Sequence, residues 1–209
     1  MIITLLSTFA AAQTAAPPAS IFGISIDEPL TLSECVSATD PNKYHANSSA
    51  YKGRFSYKYP DVNPCFERLN RQGLGDAPIN ETVHVQFPLK DRLATAADNT
   101  IVVQLIDGKV AFIRFNTKGR IFQDEDLVIF TNKYGKPTTV RAVPLQNGFG
   151  AQFESLIAVW RINRNVTATY SSFSGGLGGR YGDFSVGTAQ GKSALEAPIR
   201  AALESTRGL

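Results

Sequence analysis

Histidine, cysteine and long apolar runs are what this chain has least of, and each shortage removes a class of function. Two histidines (His45, His84) and two cysteines (Cys35, Cys65) occur in 209 residues. A four-ligand zinc site would need all four, and they show no ligand spacing. C-x-x-C is absent, so no dithiol redox motif exists. No apolar run is long enough to span a bilayer, and no transmembrane segment is expected. G-x-S-x-G is missing as well, so a hydrolase would have to be assembled around His45 or His84 without a local motif. The glycines of Ser174 to Gly182 (SGGLGGRYG) follow neither G-x-x-x-x-G-K-[ST] nor G-x-G-x-x-G, and read as a loop between strands rather than a phosphate cradle. A net charge of +3 is too slight an excess to argue for nucleic acid. The chain therefore reads as non-enzymatic, with no catalytic, cofactor-binding or metal-binding set.

What is present is a fold signal, strongest in Ile101 to Thr138. Apolar runs Ile101 to Ile106 and Val110 to Phe115 flank Asp107-Gly108, a pair suited to the positive φ angles of a tight hairpin. An unbroken register would put Leu105 opposite Val110, Gln104 opposite Ala111, Val103 opposite Phe112 and Val102 opposite Ile113. Both faces are then largely apolar, which places the hairpin centrally in a sheet. Asp124, Glu125 and Asp126 follow at a helix start, where carboxylates complement the helix dipole, an explanation sufficient for all three. Leu127, Phe130 and Tyr134 keep helical spacing, and Lys133, Gly135 and Pro137 mark the end.

Residues 1 to 20 read as a signal peptide and linker: a short apolar run precedes Ala10-Ala11-Ala12, although no Lys or Arg comes before it. Export makes one disulfide the expected use of Cys35 and Cys65, stabilising by roughly 3 to 4 kcal/mol for a loop of about 30 residues. Residues 21 to 190 are expected to form a single domain carrying a disulfide-tied insertion, 36 to 64, and residues 191 to 209 a short C-terminal helix or tail interrupted by Pro198.

Within the insertion, Tyr51, Phe55, Tyr57 and Tyr59 share one strand parity while Lys52, Arg54 and Lys58 share the other. Tyr51, Lys52, Arg54, Tyr57, Lys58 and Tyr59 are the candidate ligand-binding residues, rings stacking on sugars and cations holding anionic groups. The alternative is an edge strand with aromatics inside and solvated cations blocking further pairing. Pro64 to Arg71 reads as a helical turn or two. Val83 to Leu89 reads as a strand with Val83, Val85, Phe87 and Leu89 inward and His84 and Gln86 outward. Strands are expected over Thr138 to Pro144, Ala151 to Ile162 and Val166 to Phe173, with Trp160 in the core and its indole N–H bonded.

The segments FGISIDEPLTLSEC, DGKVAFIRFNTKG, KYGKPT and IAVWRI resemble those of small uncharacterised exported bacterial proteins. Over roughly Ile21 to Gly187 the order of hairpin, helix and hairpin is similar to the β-lactamase-inhibitor-protein-like superfamily. That resemblance implies a helix packed on an antiparallel sheet and binding to other proteins of the cell envelope, and it assigns no functional residue. The expectation is an α+β protein, a curved antiparallel sheet of hairpins with one main helix packed on it. It would be periplasmic or secreted, without cofactor, and would bind an envelope protein. The alternative is a glycan- or anionic-polymer-binding module using residues 51 to 59.

Overall fold

The structure, a computed structural model, describes residues 19–35, 62–72, 79–91, 93–146, 149–174 and 180–207. Its strands are β1 (Ser20–Ile21), β2 (Ile24–Ser25), β3 (Ser33–Glu34), β4 (Cys65–Gln72), β5 (Asn80–Gln86), β6 (Thr100–Ile106), β7 (Lys109–Thr117), β8 (Thr139–Gln146), β9 (Gln152–Arg161), β10 (Val166–Ser171) and β11 (Gly182–Thr188). Helix α1 (Gln123–Tyr134) joins β7 to β8, and α2 (Ala189–Arg207) follows β11. Strands β3 to β11 form one sheet in the order β3-β4-β5-β6-β7-β11-β10-β9-β8, open at both edges. All its neighbours are antiparallel except β3 and β4.

The β6–β7 hairpin is central, as its two apolar faces require. Asp107 and Gly108 turn it with φ of 50° and 77°. Leu105 stands opposite Val110 as expected, but the rest of the register is corrected by one residue. Ala111 is an extra residue on β7, so Gln104 meets Phe112, Val103 meets Ile113 and Val102 meets Arg114. The physical reason lies in parity. Without a bulge, Val110, Phe112 and Arg114 would share the core face; with it, Val110, Ile113 and Phe115 enter the core while Arg114 leaves.

On the core face, side chains line up across the sheet. Val83, Val103, Ile113, Val186, Ala168 and Trp160 stand opposite one another on successive strands and are almost wholly buried. Beside them run Phe115, Phe184, Tyr170 and Ala158. Helix α1 caps this layer through Phe130, which stacks on Phe184 at 4.0 Å and meets Tyr170 at 5.4 Å and Trp160 at 6.2 Å. A single 3-10 turn, Arg120–Phe122, leads into α1. Gly135 ends the helix with φ of 82°, its N–H donating to the Thr131 carbonyl. Its own carbonyl accepts the Trp160 indole N–H at 2.8 Å, the partner expected for a buried tryptophan.

The rest of the core face is covered by the β1–β2 hairpin. Ile21, Ile24 and Ile26 are buried there, and Phe22 packs on Phe87 and Phe115. Phe22 has φ of 52°, a left-handed conformation costing a non-glycine residue about 1 to 2 kcal/mol. Packing of the partly buried ring against two phenylalanines offsets that cost. This segment is a short hairpin of two-residue strands followed by a single bridge from Pro29 to Lys109. The Cys35–Cys65 bridge is formed, tying β3 to β4.

Several expectations are corrected. Pro64 to Arg71 is strand rather than helix, because Cys65 to Arg68 pair in register with Gln86 to Val83 and Phe66 then enters the core. Leu89 lies outside, beyond the last residue of β5. Instead of a short helix or tail, α2 runs 19 residues and passes through Pro198. It packs on β6, β7 and β11, where Gly191 lies so close to Ala111 that a Cβ would come within 2.6 Å of its carbonyl oxygen. Ala111, Phe112 and Gln104 are buried under it, apart from the main core. The architecture is α+β, with helices on both faces of the sheet. No helix among the described residues is long and apolar enough to cross a membrane.

Candidate functional site

The ligand-binding candidates Tyr51, Lys52, Arg54, Tyr57, Lys58 and Tyr59, and also His45, lie outside the described residues. His84 is described and is half-buried, not exposed as expected. Burial pushes its imidazole below the ordinary histidine range, with Asp98 opposing. Among the described residues no group of three or more His, Cys, Asp or Glu is placed to hold a metal ion.

The sheet has a second face, and strand order aligns on it residues from distant parts of the chain. Glu67 stands opposite His84, His84 opposite Val102, and Val102 opposite Arg114. The line continues through Ser185 and Thr169 to Val159. All seven are partly exposed. Helix α2 packs on β6, β7 and β11, where Gln104 and Phe112 are buried, and α1 sits on the opposite face. Two contacts order this surface: the Arg114 Nε donates to Asp183 Oδ2 at 2.5 Å, and Gln86 Nε2 to Glu67 Oε2 at 3.4 Å. Burial raises the Glu67 carboxyl above its ordinary value, and the Gln86 bond opposes the shift.

Chemically the row offers donors, acceptors, one paired guanidinium and the aliphatic Val102 and Val159. His84 and Ser185 stand three strand spacings apart, about 14 Å, too far for an imidazole to activate that hydroxyl. Sequence reading missed this surface because it treats each strand's polar parity as a solvated side. Only the strand order shows that seven such sides are contiguous.

A second cluster lies under the N-terminus of α1. Asp124 and Glu125 are exposed, as cap residues should be, but Asp126 is only 2% exposed. The dipole explanation is therefore corrected for Asp126, whose position in the helical repeat turns it toward the sheet. Its Oδ2 accepts from the Tyr170 hydroxyl at 3.3 Å. Burial pushes the carboxyl up to about 6, against the pull of Tyr170 and Lys118. The Tyr170 phenol is pushed up in turn, by burial first and by Asp126 second. The Thr117 hydroxyl is buried nearby and bears on both groups, lowering the Asp126 and Tyr170 values. Ser172 Oγ donates to Gln123 Oε1 at 2.8 Å and lies 3.1 Å from Ser155 Oγ, tying the same helix start to β9.

No protein-family model, curated protein or solved structure matches this chain. The functional reading therefore rests on the chain's own geometry.

Proposed function

We propose that this protein is a non-enzymatic binding protein, exported to the periplasm or secreted, that docks another cell-envelope protein on the second face of its sheet. The observation carrying the reading is the row from Glu67 to Val159, partly exposed across seven adjacent strands. Seven strands span about 30 Å, the width of a standard protein interface. Paired polar groups beside aliphatic ones suit such a surface better than a small-molecule pocket. The Cys35–Cys65 bridge supports an oxidising compartment. In this reading the sheet is curved around its helix, in keeping with the resemblance to the β-lactamase-inhibitor-protein-like superfamily.

The test is capture from envelope extract by the full chain and by a Val159→Arg, Thr169→Arg double variant, with Ile129→Arg on the outer face of α1 as control. Both variants are expected to melt like the parent. A partner held by the parent and the control but lost by the double variant supports the reading. Retention by all three, or turnover of a substrate by the purified protein, overturns it.

A further inference from the structure

Away from the second face, a cleft of about 340 Å³ opens between the β1–β2 hairpin, the segment leading to β3, and the end of β5. Phe22, Ile24, Leu30, Leu32 and Phe87 form apolar walls, and Ser25 and Thr31 add hydroxyls. The volume is in the range of small-ligand sites. Among the described residues one charged residue lines it, Glu28. Its backbone is anchored rather than free: the Glu28 carbonyl accepts from the Val110 N–H at 2.9 Å, while the adjacent Asp27 N–H donates to the Val110 carbonyl at 2.8 Å. The Glu28 carboxylate pairs with no cation among the described residues.

Backbone conformation marks the same place. Three non-glycine residues among those described adopt positive φ, and two of them, Phe22 at 52° and Asp27 at 67°, belong to the segment that forms this cleft. The third, Asp107, is accounted for by its hairpin turn. Left-handed residues concentrate where surrounding structure holds a site in shape. Here they accompany the placement of Phe22 as a wall and of Glu28 in the lining.

We infer that this cleft binds a small amphipathic cation, an apolar chain or ring carrying one positive charge, with the apolar part lying against the touching Phe22 and Phe87 rings and the charge at Glu28. A single carboxylate beside apolar walls and two hydroxyls attracts a cation and repels an anion, while a neutral chain gains nothing from it. The site is independent of the proposed protein-docking face, so either can stand without the other.

Calorimetry of the full chain with n-octylammonium, n-octanol and n-octyl sulfate tests it. Octylammonium is expected to bind at one site, octanol more weakly and octyl sulfate least. Glu28→Gln, an exposed position that leaves the melting temperature unchanged, is expected to weaken octylammonium about tenfold and to remove the preference over octanol. Intermolecular nuclear Overhauser effects from the probe's methylenes to the Phe22 and Phe87 rings locate the bound chain without any variant. Equal binding of octylammonium and octyl sulfate, or unchanged affinity in Glu28→Gln, overturns the cation assignment. Absence of binding by all three, or effects confined to other rings, overturns the site.

Discussion

Replacing Asp126 by Asn is expected to stabilise the protein at neutral pH and to change how its stability responds to acid. The carboxyl is held at about 6 in the folded chain against 3.8 for an ordinary aspartate. At about 1.36 kcal/mol per pH unit, that gap amounts to roughly 3 kcal/mol of cost for ionising Asp126 in the fold. The folded value is the higher one, so the native state holds the extra proton between pH 4 and 6. Stability contributed here is greatest below about pH 4, falls as pH rises to about 6, and is flat above.

Asparagine keeps an acceptor for the Tyr170 hydroxyl and for the Thr117 hydroxyl beside it. Allowing for imperfect geometry, the variant should gain about 1 to 3 kcal/mol at pH 7.5 and nothing at pH 4. His84 acts in the opposite sense. Its folded value lies below 6.5, so its contribution is present above that pH and lost as acid protonates the unfolded chain. The parent should therefore show partly cancelling slopes, and Asp126→Asn should weaken in acid. Urea unfolding of both proteins at pH 4, 5.5 and 7.5 reads this directly. A variant less stable than the parent by the same amount at every pH would refute the reasoning, because the charged carboxylate would then be a favoured acceptor rather than a buried liability.

Other outcomes follow from the packing. Phe130→Ala should cost about 3 to 5 kcal/mol by opening a cavity among Trp160, Tyr170 and Phe184, whereas Val128→Ala on the exposed side of the same helix should change the melting temperature little. Gly191→Leu should cost about 1 to 3 kcal/mol and loosen α2, read as faster amide exchange in residues 189–201, because its side chain meets the Ala111 backbone. Cys35→Ser with Cys65→Ser should lower stability by roughly 3 to 4 kcal/mol, and reducing agent should do the same to the parent but nothing further to the variant.

How much was legible depends on the range of the interaction. The Asp107-Gly108 turn, the Gly135 helix stop and the parity of Val83 and Val85 are decided within a few residues, and the structure keeps them. Pro64 to Arg71 forms a strand although a helical turn is also locally acceptable there, because pairing with β5, from Cys65 opposite Gln86 to Gln72 opposite Asn80, selects the strand. Asp126 was misread because charge at a helix start has a sufficient local explanation. Its burial comes from Tyr170, 44 residues on. Of the candidate site, nothing could be read beforehand, since Glu67 and Val159 become parts of one surface only when β11 inserts between β7 and β10.

By itself the sequence determined the Asp107-Gly108 turn, the Gly135 helix stop, the alternation of Val83 and Val85, the main helix and the two cysteines available for a bridge, because backbone sterics and side-chain periodicity act locally. Tertiary structure alone decided the strand order, the bulge at Ala111 that turns Arg114 out of the core, the continuation of α2 through Pro198, and the environments of Asp126, His84 and Glu28. Those depend on contacts between residues far apart in the chain, and a side chain's charge and exposure follow from what the fold sets against it.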